Sequence, residues 1–261
     1  MLYWLIAISL FLAAYACCFT FSRDVRFFSK LILYGVCVVV GSTIGSIKCI
    51  FNGRTTDNHY IIFDCFVKTC SWMQIKIQIE NQELLESDEP YVMIANHQAA
   101  LDVYTMVHVW PKNCVVMLKS SLKYVPGFNL CAWLCCSIFI DRADKTRAHQ
   151  SVGKCEKAIL ENKRKIFIYP EGTRNAGTDM LPFKKGAFVI AKNTNVPIVP
   201  CVFSSYRSFY SYAERRFDTG VITVRVLPKI YPKDKTVDEL ANECREVMLK
   251  TLKDEDTKKS N

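Results

Sequence analysis

An N-terminal hydrophobic helical hairpin followed by an α/β domain is the architecture the sequence predicts. Two observations carry it. Before Lys48 there are two uncharged runs long enough to approach a bilayer's thickness. From Tyr91 onward, short apolar runs of strand length alternate with stretches of helical period. The chain has 261 residues, half of them hydrophobic. That excludes a disordered chain, and the length excludes a small disulfide scaffold. Its 13 cysteines are odd in number and include no CxxC pair. They read as buried thiols in a reducing compartment, not as a zinc ribbon or a redox couple.

The first run, Leu2 to Phe21, carries no charge and lacks the basic start of a cleaved signal peptide. After Arg23, Arg26 and Lys30 comes the second, Leu31 to Ile47, at 17 residues short for a span. Gly41-xxx-Gly45 within it would let another helix approach closely. Tyr60 to Ile79 is apolar but broken by Asp64, Lys68 and Lys76, which suits an interfacial or buried helix. Strands are expected at 91–95, 114–118, 138–140, 166–169, 198–203 and 221–227. Between Thr146 and Glu161 one helical face carries Val152, Cys155, Ile159 and Leu160. A last helix opens on the capping box Thr236-x-x-Glu239 and aligns Leu240, Cys244, Val247 and Met248. The resulting division is 1–52 membrane hairpin, 53–85 amphipathic interfacial connector, 86–232 α/β domain, and 233–261 C-terminal helix with a charged tail.

Topology signals conflict. The three basic residues between the runs favour a cytoplasmic loop, and two full spans would then put everything after Lys48 on the far side. Yet Lys258-Lys259-Ser260-Asn261 resembles a dilysine retrieval address read in the cytosol, pointing to the endoplasmic reticulum membrane. A hairpin that never fully crosses reconciles the two. Net charge is +9, and residues 112–216 alone hold 18 Lys+Arg against 7 Asp+Glu. This suits a bilayer surface or a phosphorylated substrate. Nucleic acid is not expected, because no basic stripe interleaved with aromatics occurs. His59, His108 and His149 lack metal-ligand spacing, so no metal is expected.

Two blocks carry the chemistry. In Asn96-His97-Gln98-Ala99-Ala100-Leu101-Asp102, a histidine leaves a buried strand with an acid one helical turn on. The acid can hold one imidazole nitrogen and leave the other as a base. In Tyr169-Pro170-Glu171-Gly172-Thr173-Arg174, glycine permits a tight turn and Arg174 presents a planar fork suited to phosphate.

Together the blocks resemble the glycerolipid acyltransferases: NHQAALD is similar to their N-H-x4-D signature and YPEGTRN to their F-P-E-G-T-R block. Ser137 to Arg142 and Val196 to Pro200 resemble two further blocks, in the same order, across residues 91–203. Supporting matches lie at Lys119 to Leu122 and Leu181 to Ala187. Ala99, Tyr169 and Cys136 depart from the usual Ser, Phe and Gly. Among these enzymes the chain is most similar to the lysophosphatidic acid acyltransferases. The resemblance implies the family's sheet with flanking helices, and acyl transfer from acyl-CoA to the 2-hydroxyl of lysophosphatidic acid, without a cofactor. It implies His97 as general base, Asp102 as its partner, and Arg174 on the acceptor phosphate. Glu171, Gly172, Thr173, Lys119 and Arg142 would assist Arg174. Alternatives are a lysophospholipid acceptor with a larger head group, a His-dependent lipid ester or thioester hydrolase, and a silent lipid-binding relative.

Overall fold

The computed structural model describes residues 2–125, 127–141 and 145–260. Helix α1 (Leu2–Phe21) is an apolar rod, and from Trp4 to Phe21 it buries nothing inside the protein. Ser22 ends it and caps α2 (Arg23–Cys49), accepting from the Val25 amide at 3.3 Å. Arg26 donates to the carbonyls of Phe19 and Thr20, supplying positive charge where the α1 dipole ends. Tyr15 donates to Ser29 at 2.8 Å, so α1 folds back on α2.

Helix α2 does not stand free. Phe27, Tyr34, Cys37, Gly41, Gly45 and Cys49 share one face and are buried against the rest of the protein. The opposite face exposes Ile32, Leu33, Val36, Val40, Ile44 and Ile47. The GxxxG expectation is met against α3 (Asn58–Thr69): a Cβ on Gly41 would lie 2.7 Å from the Phe66 Cα, and one on Gly45 2.6 Å from that of Ile62. Glycine lets the two backbones meet.

The stretch 70–85, expected to continue as an amphipathic connector, supplies a strand instead. In β1 (Lys76–Glu80) the order Lys-Ile-Gln-Ile-Glu has period two and a half-buried alternation, which a strand satisfies and a helix cannot. The other elements follow as β2 (Val92–Ala95), α4 (Asp102–His108), β3 (Cys114–Lys119), α5 (Phe128–Leu134), β4 (Ile138–Ile140), α6 (Lys145–Asn162) and β5 (Lys165–Ile168). Then come α7 (Gly186–Thr194), β6 (Ile198–Phe203), the short hairpin β7 (Tyr210–Ser211) and β8 (Arg216–Phe217), β9 (Val221–Val226) and α8 (Val237–Ser260).

Seven strands form one sheet in the order β1-β9-β6-β2-β5-β3-β4, parallel except where β9 meets β6. Its central strands are apolar on both sides because both faces are covered. Tyr91, Met93, Val116, Phe167 and Phe203 point to the layer of α2, α3 and α4. Val92, Ile94, Val115, Ile166 and Val202 point to α6, α7 and α8. The capping box forms as read: Thr236 N donates to Glu239 Oε2 at 2.7 Å, and Glu239 N to Thr236 Oγ1 at 3.2 Å. Helix α8 then runs to Ser260; the Lys258 and Lys259 side chains and Asn261 lie outside the described residues. Cys136 sits at φ 58°, the left-handed region that glycine enters most easily.

Candidate active site

β2 and β5 are neighbours and end at the same edge of the sheet, so the two motif blocks leave it side by side. Asn96 secures the exit of β2. Its amide donates to the Phe203 carbonyl at 3.0 Å and its Oδ1 accepts from the Phe203 N–H at 2.8 Å. Gln98 Nε2 donates to the carbonyls of Phe203 and Ser204 at 3.0 and 3.1 Å. The residues on either side of His97 are thus tied to β6.

Asp102 opens α4 and is fully buried. Its Oδ2 lies 2.6 Å from His97 Nδ1 and accepts from the amides of Gln98 at 2.7 Å and Ala99 at 3.0 Å. A carboxylate only accepts, so Nδ1 carries the proton and Nε2 presents its lone pair. The His97 side chain is 19% exposed, and Nε2 has no hydrogen-bond partner among the described residues. The pair is fixed at one end and open at the other.

The second block braces this pair. Glu171 is buried; Oε1 accepts from the His97 amide and Oε2 from the Leu181 amide, both at 2.9 Å. Asn175 N donates to the His97 carbonyl at 2.7 Å. Both main-chain groups of His97 are therefore held by the loop after β5. Gly172 makes the turn at φ 72°, and a Cβ there would lie 2.7 Å from the Lys184 Cε. Tyr169 stacks on the His97 ring, centroids 4.2 Å apart and planes 19° apart, and donates to the Asp102 carbonyl at 3.2 Å. Burial, then the charge of Asp102, pushes the Tyr169 hydroxyl well up, keeping it a donor.

Arg174 and Thr173 are exposed, and Arg174 has no ion-pair partner among the described residues. Arg174 lines a cavity of about 600 Å³ with Gln98, Ala99, Ala100, Leu31 of α2, and Tyr206, Arg207 and Tyr210 from the segment after β6. The same cavity is mostly carbon-walled, and α2 reaches its rim where Tyr34 donates to the Ala100 carbonyl at 2.9 Å. Arg207, which no motif flags, is a second arginine lining it. Lys119 ends β3 opposite Ile140, exposed, and is not among the described residues lining this cavity. Arg142 lies outside the described residues. Sequence reading also had no signal for the bracing by Glu171 or the Tyr169 stack, since both depend on β5 lying beside β2.

Comparison with known proteins agrees with this architecture. Residues 76–204 match the family model described as Acyltransferase. The Caenorhabditis elegans protein acl-1 is 46% identical over 226 residues, covering 86% of each chain. Human 1-acyl-sn-glycerol-3-phosphate acyltransferase alpha is 33% identical over 236 residues, covering 89% of this chain and 83% of its own. The crystal structure of the 1-acyl-sn-glycerophosphate acyltransferase PlsC from Thermotoga maritima shares the fold, with a TM-score of 0.73 at 20% identity, covering 89% of this chain and 97% of that one. The chain belongs to the glycerolipid acyltransferase family, among the 1-acyl-sn-glycerol-3-phosphate acyltransferases.

Proposed function

We propose that the protein moves a fatty acyl group from acyl-CoA to the 2-hydroxyl of 1-acyl-sn-glycerol 3-phosphate, giving phosphatidic acid. The observation that carries this reading is the His97–Asp102 pair at 2.6 Å, with Nε2 open and Arg174 in the adjoining carbon-walled cavity. An alcohol is a weak nucleophile while it holds its proton. His97 Nε2 takes that proton as the oxygen attacks the thioester carbonyl, a contribution of about 10²–10⁴ in rate. The imidazolium so formed is stabilised by Asp102, in the manner of a triad whose hydroxyl comes from the substrate. As the C–S bond breaks, the imidazolium returns the proton to the departing thiolate. No acyl-enzyme is needed.

Arg174 and Arg207 hold the phosphate of the acceptor, and the carbon wall of the cavity takes the first carbons of its chain. Glu171 and Asn175 support the site through the backbone of His97, and Gly172 through the turn that brings them there. The exposed surfaces of α1 and α2 lie in one leaflet, since α2 is docked lengthwise on the catalytic domain and has no length free to carry it across. Lipid substrates then enter the cavity past Leu31 from within the endoplasmic reticulum membrane.

The test is acyl transfer from oleoyl-CoA by detergent-solubilised protein, with a panel of lysolipids, wild type beside His97→Ala. Transfer to lysophosphatidic acid that vanishes in the variant is the expected result. Transfer only to a larger lysophospholipid moves the substrate. Release of free fatty acid without an acceptor overturns the reaction.

A further inference from the structure

At the β4 edge of the sheet, a basic groove is left without a role by this reading. Two adjoining cavities of about 410 and 380 Å³ share Lys123, Phe139 and Lys154. The second adds Arg54, Lys157 and Arg164. Lys157 lies 3.7 Å from Glu161, whereas Lys154 has no ion-pair partner among the described residues. Lys123 Nζ lies 5.0 Å over the Phe139 ring, and the neighbouring Tyr124 is 87% exposed. Cations beside open aromatic faces, with the Ser120 and Ser121 hydroxyls alongside, are chemistry for phosphates attached to a flat base.

Position supports the same ligand. β2, β5, β3 and β4 are parallel neighbours, so Ser120 after β3 and Asp141 after β4 lie at the edge from which His97 emerges. Three strand spacings separate β4 from β2, about 14 Å. A pantetheine arm has the backbone length of about four extended residues, roughly 15 Å. The Arg174 cavity opens on the opposite flank, under Tyr206 and Tyr210 beyond β6. His97 therefore stands between two sites, and two substrates approach it without competing for space.

We propose that the β4-edge groove binds the 3′-phosphorylated adenosine diphosphate end of the acyl donor, with Lys123 and Lys154 on its phosphates and Phe139 or Tyr124 against its base. The assignment rests on the reading that the donor is a CoA thioester.

The experiment titrates the full chain, in neutral detergent, with adenosine 3′,5′-bisphosphate, comparing wild type with Lys123→Ala/Lys154→Ala by calorimetry. Kinetics with oleoyl-CoA run beside it. The variant is expected to bind the nucleotide about tenfold more weakly and to raise the KM for oleoyl-CoA by a similar factor. The KM for the lysolipid should move less than about twofold, as the opposite cavity is untouched. Equal nucleotide affinity in both proteins overturns the proposal. So does a variant that keeps the nucleotide but loses binding to vesicles containing anionic phospholipid, because the groove then serves head groups. A wild type that binds the nucleotide but transfers nothing from oleoyl-CoA would instead refute the donor reading, leaving the groove's ligand standing.

Discussion

Tyr169 touches both members of the candidate pair: its ring lies on His97 at 4.2 Å between centroids, and its hydroxyl donates to the Asp102 carbonyl at 3.2 Å. A residue of β5's exit thereby sets the tilt of a ring on β2's exit. A phenylalanine here, as in the F-P-E-G-T-R block this segment resembles, would keep the stack and lose the bond.

The two contributions separate by substitution. Tyr169→Phe should lower kcat only a few-fold, as one neutral hydrogen bond is worth about 1 kcal/mol. Tyr169→Ala removes the stack and leaves a cavity beside the imidazole, so kcat should fall by about 10- to 100-fold with both KM values little changed. Steady-state kinetics on the two variants decide it, and wild-type kcat in the Ala variant would end the positioning role.

Glu171 offers a sharper distinction, because both its oxygens accept from backbone amides. Glu171→Gln replaces one acceptor with an NH₂ that faces another N–H, leaving a buried donor unpaired at about 1–3 kcal/mol. Thermal stability and kcat should both drop while the KM for the lysolipid holds. A selective rise in that KM would restore the phosphate role that the motif resemblance implies.

Arg174 and Arg207 line one cavity, so their losses should be coupled. Each Ala variant is expected to raise the KM for the lysolipid more than that for acyl-CoA. In a double-mutant cycle the combined effect should differ from the sum, as two guanidinium groups share one phosphate. Equal rises for both substrates would count against the assignment.

His59 makes stability depend on pH. It is buried against Trp110 and Phe63, and burial pushes it down to about 4. The unfolded chain's histidine titrates near about 6.5, so between these values the unfolded state holds more protons. Stability is then full above roughly pH 6.5 and is lost as the pH falls toward 4. Melting temperatures from pH 7.5 down to 4.5 should decline, and His59→Gln should flatten the slope. An unchanged slope would remove His59 as the source.

Much of the fold was legible because local periods agreed with their surroundings. The six expected strands all occur, and the Thr236–Glu239 box forms where its spacing places it. β1 was missed: its alternation is short and follows an apolar helix, so only pairing with β9, far along the chain, reveals a strand. The β7–β8 hairpin is shorter still. It is anchored from outside by α2, with Arg215 stacked over Phe28 and within 3.3 Å of Asp24.

What the sequence determined by itself is what depends on neighbours along the chain: an apolar hairpin, alternating strands and helices, and a histidine one helical turn from an acid. Bonds between His97 and Asp102 need only five residues of spacing, and a strand exit followed by a helix start supplies it. Tertiary structure alone decided the rest. It bonded Glu171 to the backbone of His97, put Arg207 in the same cavity as Arg174, and laid α2 lengthwise on the domain. Each of these joins segments tens of residues apart, and strand order, which no local period encodes, determines which of them meet.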